Sequence, residues 1–423
     1  MIHKIKLGCI ADDFTGAGDA ASFLAEGGLR TILVNGIPGE DFLLPDDCEA
    51  VVIALKSRTQ KKEDAIRDSL AGIRWLAVHG TEKFYFKYCS TFDSTPEGNI
   101  GPVTDAILEE LGEKMTILCP ALPANGRTVQ NGILYVNGVR LEDSSMRNHP
   151  LTPMRESRIS LLMKPQGKYE SLELSRDLLG QSEEKVRELV EEFAHTHTHG
   201  YLIPDHTDDE DARRIVRLFG NLRFLTGGSG ILKTLAESLK TAEQDEKFFP
   251  GVHGKALIVA GSCSVATRAQ ELHYEHHGGN VIRLRDDGVL SGEESPEVLW
   301  KKICDFSGSV LVYAYDAPEG LAEKRNEEGR RLAAKIEETL AGTTLLAVKN
   351  GYRRIIAAGG ETSGAVIQAM GYHAFWIGDS IAPGVPVLVP LEDPEIRIVL
   401  KSGNFGQEDF FLRALRITGE VNE

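Results

Sequence analysis

Short apolar or β-branched runs alternate with charged, helix-periodic stretches along most of the chain. Ile5–Ile10 is the first apolar run and Val51–Leu55 the next, followed by a helical pattern from Glu63 to Leu76, a run Phe84–Phe86, a helical pattern from Val103 to Leu111 and a run Met115–Cys119. Continuous apolar runs of this length, spaced by amphipathic helices, predict buried strands of a parallel sheet, because crossover helices cover both of its faces. From about Gly132 to Ser171 the rhythm breaks. There Tyr135–Val139, with Asn137-Gly138 inside it, predicts a hairpin, and His149-Pro150-Leu151-Thr152-Pro153 a proline-fixed loop, together an insertion or lid. Alternation resumes with a helix from about Ser182 to Ala194, a strand at Tyr201–Ile203, a helix from Asp209 to Phe219 and a strand at Phe224-Leu225.

The pattern fails again between Ala242 and Gly254, a polar stretch bearing Pro and Gly. Lys255–Ala260 then starts a second series of strands, continued by Val281–Leu284, Val310–Tyr313, Arg354–Ala358 and Ile396–Leu400. The expectation is an α/β protein of two domains, residues 1–240 and 254–423, each a mostly parallel sheet flanked by helices. A chain of 423 residues is long enough to bury a core in both.

Charge narrows the partners. A formal net charge of −16 opposes binding to nucleic acid or an anionic membrane, so a small molecule is the expected ligand. No stretch reaches the roughly 18 apolar residues of a membrane span, and the first apolar run is too short for a signal peptide, so the chain is expected in the cytoplasm. Six cysteines without a C-x-x-C pair predict reduced thiols, with neither a disulfide framework nor a zinc knuckle. The period-two histidines His195, His197 and His199 read as a solvent-facing connector rather than a metal site. Association into a homo-oligomer is left open.

Four times a strand runs into a Gly/Ser turn that is expected to open a helix: Thr226–Gly230, Ala260–Ser264, Ala358–Gly364 and Lys401–Gly406. Such turns present bare N–H groups and a positive helix end, which suit phosphate. Three of them lie in the C-terminal half at the carboxyl ends of strands, where open sheets bind ligands, and they point to a nucleotide there. Lys401 could then charge-pair a terminal phosphate and Glu361 could hold magnesium or ribose. No G-x-x-x-x-G-K-[ST] occurs, which excludes a P-loop.

Residues 11–20, ADDFTGAGDA, follow the first strand. Gly16–Ala21 fits a dinucleotide fingerprint and suggests a nicotinamide-dependent dehydrogenase, but Asp12 and Asp13 precede the glycines and would repel a pyrophosphate. Gly16–Asp19 also matches the Gly-Ala-Gly-Asp of ribokinase-type enzymes, which carry it late in the chain, so the match reads as coincidence. Thr15 is expected to cap a helix ending at Gly27-Gly28. Asp12 and Asp13 suit a polyhydroxylated substrate, and either could accept a proton from an attacking hydroxyl, with Asp19 and Asp93 as further candidates. Arg58, after the strand ending at Leu55, and Lys87, Ser90, Thr91 and Asp93, after Phe84–Phe86, place cations and hydroxyls at the same sheet edge.

Taken together, Ala11–Ala17, Pro120–Thr128, His149–Met154, Gly227–Gly230, Gly359–Gly364 and Lys401–Gly406 resemble the four-carbon acid sugar kinase family. Tyr85–Thr95 followed by Gly98–Pro102 is most similar to its 3-oxo-tetronate 4-kinase branch. Cys89 and Asp93 stand where many relatives carry Asp and Arg. The resemblance implies an N-terminal domain for the sugar acid, a C-terminal domain for ATP with Mg2+, and an active site in the cleft between them. It implies ATP contacts at Ser262, Gly359, Gly360, Glu361, Thr362 and Gly403; for the transfer itself, the residues at the first sheet's edge are read as Asp13 or Asp12 for the base and Arg58 and Lys87 for the carboxylate anchors. D-threonate and D-erythronate are the alternative acceptors.

Overall fold

The computed structural model describes residues 5–149, 152–240, 249–262, 264–314 and 327–420. Pro150 and Leu151 of the expected loop, Cys263 of the second glycine turn and residues 242–248 of the expected boundary lie outside them. The chain divides into two compact units, Met1–Gln244 and Asp245–Glu423.

The first unit holds β1 (Leu7–Ala11), β2 (Thr31–Asn35), β3 (Ala50–Ala54), β4 (Lys83–Lys87), β5 (Met115–Cys119), β6 (Arg127–Gln130), β7 (Ile133–Val136), β8 (Val139–Arg140), β9 (Glu170–Leu174), β10 (Gly200–Pro204) and β11 (Phe224–Gly227). Eight of these form one parallel sheet in the order β2-β3-β1-β4-β11-β5-β10-β9. β1, β3, β5 and β10 are buried throughout, as a sheet covered on both faces requires. The expected hairpin forms from β7 and β8, with Asn137 and Gly138 both at positive φ, and β6 pairs with β7 to make a small antiparallel sheet.

Two local expectations change. The helix Phe14–Glu26 is capped by Asp13 and not by Thr15: the chain leaves β1 extended through Asp13, whose Oδ1 accepts the Gly16 N–H at 2.8 Å. The Gly227–Gly230 turn is a packing device. A Cβ at Gly227, Gly228 or Gly230 would stand 2.2, 2.3 and 2.3 Å from the carbonyl oxygens of Cys119, Pro120 and Ala121, so these glycines let two neighbouring strand ends touch.

The second unit holds β12 (Ala256–Ala260), β13 (Asn280–Leu284), β14 (Val310–Ala314), β15 (Arg354–Ala358), β16 (Ala374–Ala382), β17 (Val385–Pro390) and β18 (Arg397–Lys401). Their order is β13-β14-β12-β15-β18-β17-β16, parallel except at β17, which runs antiparallel to both neighbours. Its core packs Phe410 and Phe411 of the C-terminal helix against Ile258, Ile356 and Val399. Helices open directly after β12 and β15, at Val265 and Gly360. After β18 the helix starts only at Phe410, and Ser402–Asp409 is a loop, contrary to expectation. Among the described residues no helix is long and apolar enough to cross a membrane.

Because Gly227 abuts backbone while a Cβ at Gly18 would meet nothing within 4 Å, the two glycines should respond oppositely to alanine. Gly227→Ala is expected to cost about 2–3 kcal/mol in urea unfolding, and Gly18→Ala, inside a helix, to add up to about 1 kcal/mol.

Candidate functional site

In each unit the first strand is central and the chain departs from it in both directions, so its carboxyl end is a topological switch point where loops splay apart. In the first unit Ala11 stands in register with Ala54 and Lys87, which sets the loops after β1, β3 and β4 side by side. The Asp12 N–H donates to the Lys87 carbonyl at 3.0 Å and the Arg58 N–H to the Asp12 carbonyl at 3.2 Å.

Asp12, Asp13 and Arg58 meet there. Arg58 donates from Nε and Nη2 to the two Asp12 oxygens, both at 2.8 Å, and its Nη2 lies 2.9 Å from Asp13 Oδ1. Asp12 is only 4% exposed. Burial pushes its carboxyl up and Arg58 pulls it back, while the carboxylates hold the guanidinium firmly charged. Both Asp12 oxygens and two Arg58 nitrogens are thus spent on each other, so Asp12 orients Arg58. The Gly16 amide that a dinucleotide turn would offer to pyrophosphate is already donated to Asp13, and a Cβ at Gly16 would lie 2.4 Å from that carboxylate. The dehydrogenase reading fails on this geometry.

Lys87, 3% exposed, donates from Nζ to the Tyr88 carbonyl at 3.1 Å and sits 3.9 Å from Asp19 Oδ2. Asp19 Oδ2 also accepts from Ser229 Oγ, and Oδ1 is buried with no hydrogen-bond partner. Burial raises the Asp19 carboxyl above the usual range, against Lys87 and Ser229. Beyond Lys87 the chain turns through Cys89, Ser90, Thr91 and Asp93: Thr91 Oγ1 donates to Asp93 Oδ1 at 2.6 Å and lies 3.0 Å from Cys89 Sγ, while Ser90 is half-buried. Burial pushes the Cys89 thiol up to about 11, so it stays protonated at neutral pH. Asp93 and Ser94 join Asp12 and Arg58 around a small recess. The Asn99 Nδ2 fastens the Arg58 loop by donating to the Ser57 carbonyl at 2.7 Å and the Gln60 carbonyl at 2.9 Å.

In the second unit Ala260 is in register with Ala358, and Ala358 with Lys401, so Gly261, Gly359 and Ser402 follow at one edge. Gly359 has φ +121°, a conformation closed to other residues, and precedes the helix Gly360–Met370, whose first turn carries Glu361 and Thr362. A Cβ at Gly403 would stand 2.5 Å from Ser262 Oγ, and Ser264 and Thr267 both donate to the Gly403 carbonyl. The expected nucleotide residues Ser262, Gly359, Gly360, Glu361, Thr362 and Gly403 therefore come together at one sheet edge. Ser264 closes the expected Ala260–Ser264 turn, whereas Thr267 is not legible as a site residue in the sequence, although the spacing of the two is that of a helix N-cap and its third residue. Glu361 hydrogen-bonds Glu337, whose carboxyl is pushed up to about 7, chiefly by burial and then by Glu361. Among the described residues no three His, Cys, Asp or Glu side chains form a metal-holding group. His197 and His199 instead face the carbonyls of Phe193 and Glu113.

Lys401 differs from its expected role of pairing a phosphate. It is 1% exposed, and its Nζ donates to Thr267 Oγ1 at 2.8 Å and the Gly403 carbonyl at 3.0 Å, which braces the loop from below. Burial lowers its pKa to about 8, against the pull of Glu271. The unfolded chain then binds more protons than the folded one between about pH 8 and the ordinary lysine value, so this group makes stability rise with pH there, by up to ~1.4 kcal/mol per pH unit. Urea unfolding of the second unit across that window should show the slope, and Lys401→Met should flatten it.

A family model described as a sugar-binding N-terminal domain matches residues 7–235, and one described as a nucleotide-binding C-terminal domain matches residues 257–411. A Brucella melitensis protein named 3-oxo-tetronate kinase is 41% identical, covering 100% of this chain and 98% of the relative. A Pectobacterium atrosepticum protein of the same name is 40% identical over 97% of this chain and 98% of its own length. A solved Haemophilus influenzae structure superposes with TM-score 0.85 at 39% identity, covering 97% of this chain and all of the other. With both domain models matched in order and relatives aligned end to end, the chain belongs to the four-carbon acid sugar kinase family.

Proposed function

We propose that the protein transfers the γ-phosphoryl group of ATP to the terminal hydroxyl of a four-carbon sugar acid, converting 3-oxo-tetronate to 3-oxo-tetronate 4-phosphate. The observation that carries this reading is full-length identity near 40% to proteins named 3-oxo-tetronate kinase. The local chemistry agrees with it. Residues 1–240 supply the sugar-acid site: Lys87 attracts the substrate carboxylate, Arg58 through its remaining N–H groups contributes to the same field, and Ser90, Thr91 and Asp93 meet hydroxyls. Asp13, anchored as a helix cap, accepts a hydrogen bond from the sugar through its second oxygen, and Asp12 keeps Arg58 in place.

Residues 254–423 supply the nucleotide site. Backbone amides around Gly359, Gly360 and Gly403 receive phosphate oxygens, Ser262 and Thr362 add hydroxyl donors, and the helix beginning at Gly360 contributes its positive end. Mg2+ would arrive on the triphosphate and offset its charge. Glu361, a hard oxygen donor crowded against Glu337, would hold such an ion.

The test is ADP release with a panel of four-carbon acids. 3-Oxo-tetronate should give the highest kcat/KM; a higher value for D-threonate or D-erythronate would move the acceptor assignment, and turnover of none would reject the reading. Gly359→Ala, which forces a side chain into a positive-φ position, should weaken ATP binding by roughly tenfold or more while leaving sugar-acid affinity unchanged in calorimetry.

A further inference from the structure

The Gly227–Gly230 turn has a use beyond packing. By letting the end of β11 lie against Cys119–Ala121, its three glycines carry Ser229, which is fully buried, onto the first helix. There the Ser229 Oγ donates to Asp19 Oδ2 and Lys87 Nζ flanks the same oxygen at 3.9 Å, whereas Oδ1 has no partner. A carboxylate 7% exposed with one oxygen held by two groups and the other left without a hydrogen bond is a costly arrangement for a purely structural residue. Of the carboxylates nearby, Asp12 is fully engaged by the bidentate Arg58 pair, and Asp13 gives its Oδ1 to the Gly16 amide and Arg58 while its second oxygen is the one assigned above to a sugar hydroxyl.

We propose that Asp19 is the proton acceptor for the phosphoryl transfer and that Ser229 is its positioning residue. The assignment rests on the kinase reading above. The substrate's terminal oxygen forms its bond to the γ-phosphorus, the bond from that phosphorus to the ADP oxygen breaks, and the hydroxyl proton passes to Asp19 Oδ1, later leaving to water. The groups acting on Asp19 are Lys87 and Ser229, which favour its charged form, and Asp13 and Glu26, which oppose it; burial also opposes it.

Asp19→Asn should lower kcat by roughly 100-fold or more with the Kd for the sugar acid and for ATP within a few-fold. Ser229→Ala removes a donor to the carboxylate, so the acid limb of the kcat–pH profile should move to higher pH by about one unit. A merely structural serine would lower kcat at every pH and leave that limb where it is. Retention of more than a tenth of kcat in folded Asp19→Asn, or an unmoved limb in Ser229→Ala, overturns the assignment while wild-type turnover keeps the kinase reading. Absence of wild-type turnover with any four-carbon acid overturns both.

Discussion

The arrangement of the first unit depends on compensating negative charge at the end of β1. Asp12 leaves the strand buried, and a buried carboxylate without a partner would ordinarily take up a proton. Arg58 opposes this by reaching from the loop after β3, with Asn99 fastening that loop from the start of another helix. Breaking such a pair leaves an uncompensated buried charge, at a cost of about 3–5 kcal/mol. The pair therefore fixes the loops after β1 and β3 relative to one another, the Asp12 N–H bond to the Lys87 carbonyl ties them to the end of β4, and all the candidate sugar-acid residues except Lys87, Asp19 and Ser229 belong to the loops after β1, β3 and β4.

The second unit solves a related problem without carboxylates. Its rim is built from backbone, and the charge that supports it, Lys401, lies underneath with its protons spent on Thr267 and the Gly403 carbonyl. A cation held this way orders amides that can face an anion, and on the proposed reading it leaves the phosphate contacts to N–H groups and hydroxyls. Amides are fixed dipoles of the fold and need no reorganisation when charge builds on a transferring phosphoryl group.

Most of the architecture was legible because fully buried parallel strands are apolar throughout. β1, β3, β5, β12, β14 and β15 announce themselves in this way. Thr31–Asn35 was passed over although its Ile32-Leu33-Val34 run is just as plain, whereas the others passed over were less so. Glu170–Leu174 at one edge is polar on alternate residues, and Ala374–Ala382 with Val385–Pro390 form an antiparallel hairpin carrying Asp379 and two prolines, Pro386 and Pro390. The candidate site residues were legible as positions after strands, since register alone brings those loops together. Their partners were not: nothing in the local pattern says that Arg58 clasps Asp12, that Asp13 rather than Thr15 caps the helix, or that a Gly-Gly-Ser-Gly string suited to phosphate is consumed by packing against Cys119–Ala121. Those outcomes depend on which side chain reaches across the sheet, and that is a tertiary fact.

The surplus of acid around Lys87 bears on how a base of this kind would be tuned. Asp12, Asp13 and Asp19 face two cations, Arg58 and Lys87, so the carboxyls outnumber the cations by one before any ligand arrives. Arg58 is committed to Asp12 and Asp13, so on the proposed reading Lys87 serves both Asp19 and an incoming carboxylate. A sugar acid that draws Lys87 toward itself weakens the interaction that keeps Asp19 ionised, and its own charge adds to the same effect. On the proposed assignment, binding the substrate would therefore raise the proton affinity of Asp19 at the moment a hydroxyl proton must be accepted, which turns the cost of crowding like charges into basicity.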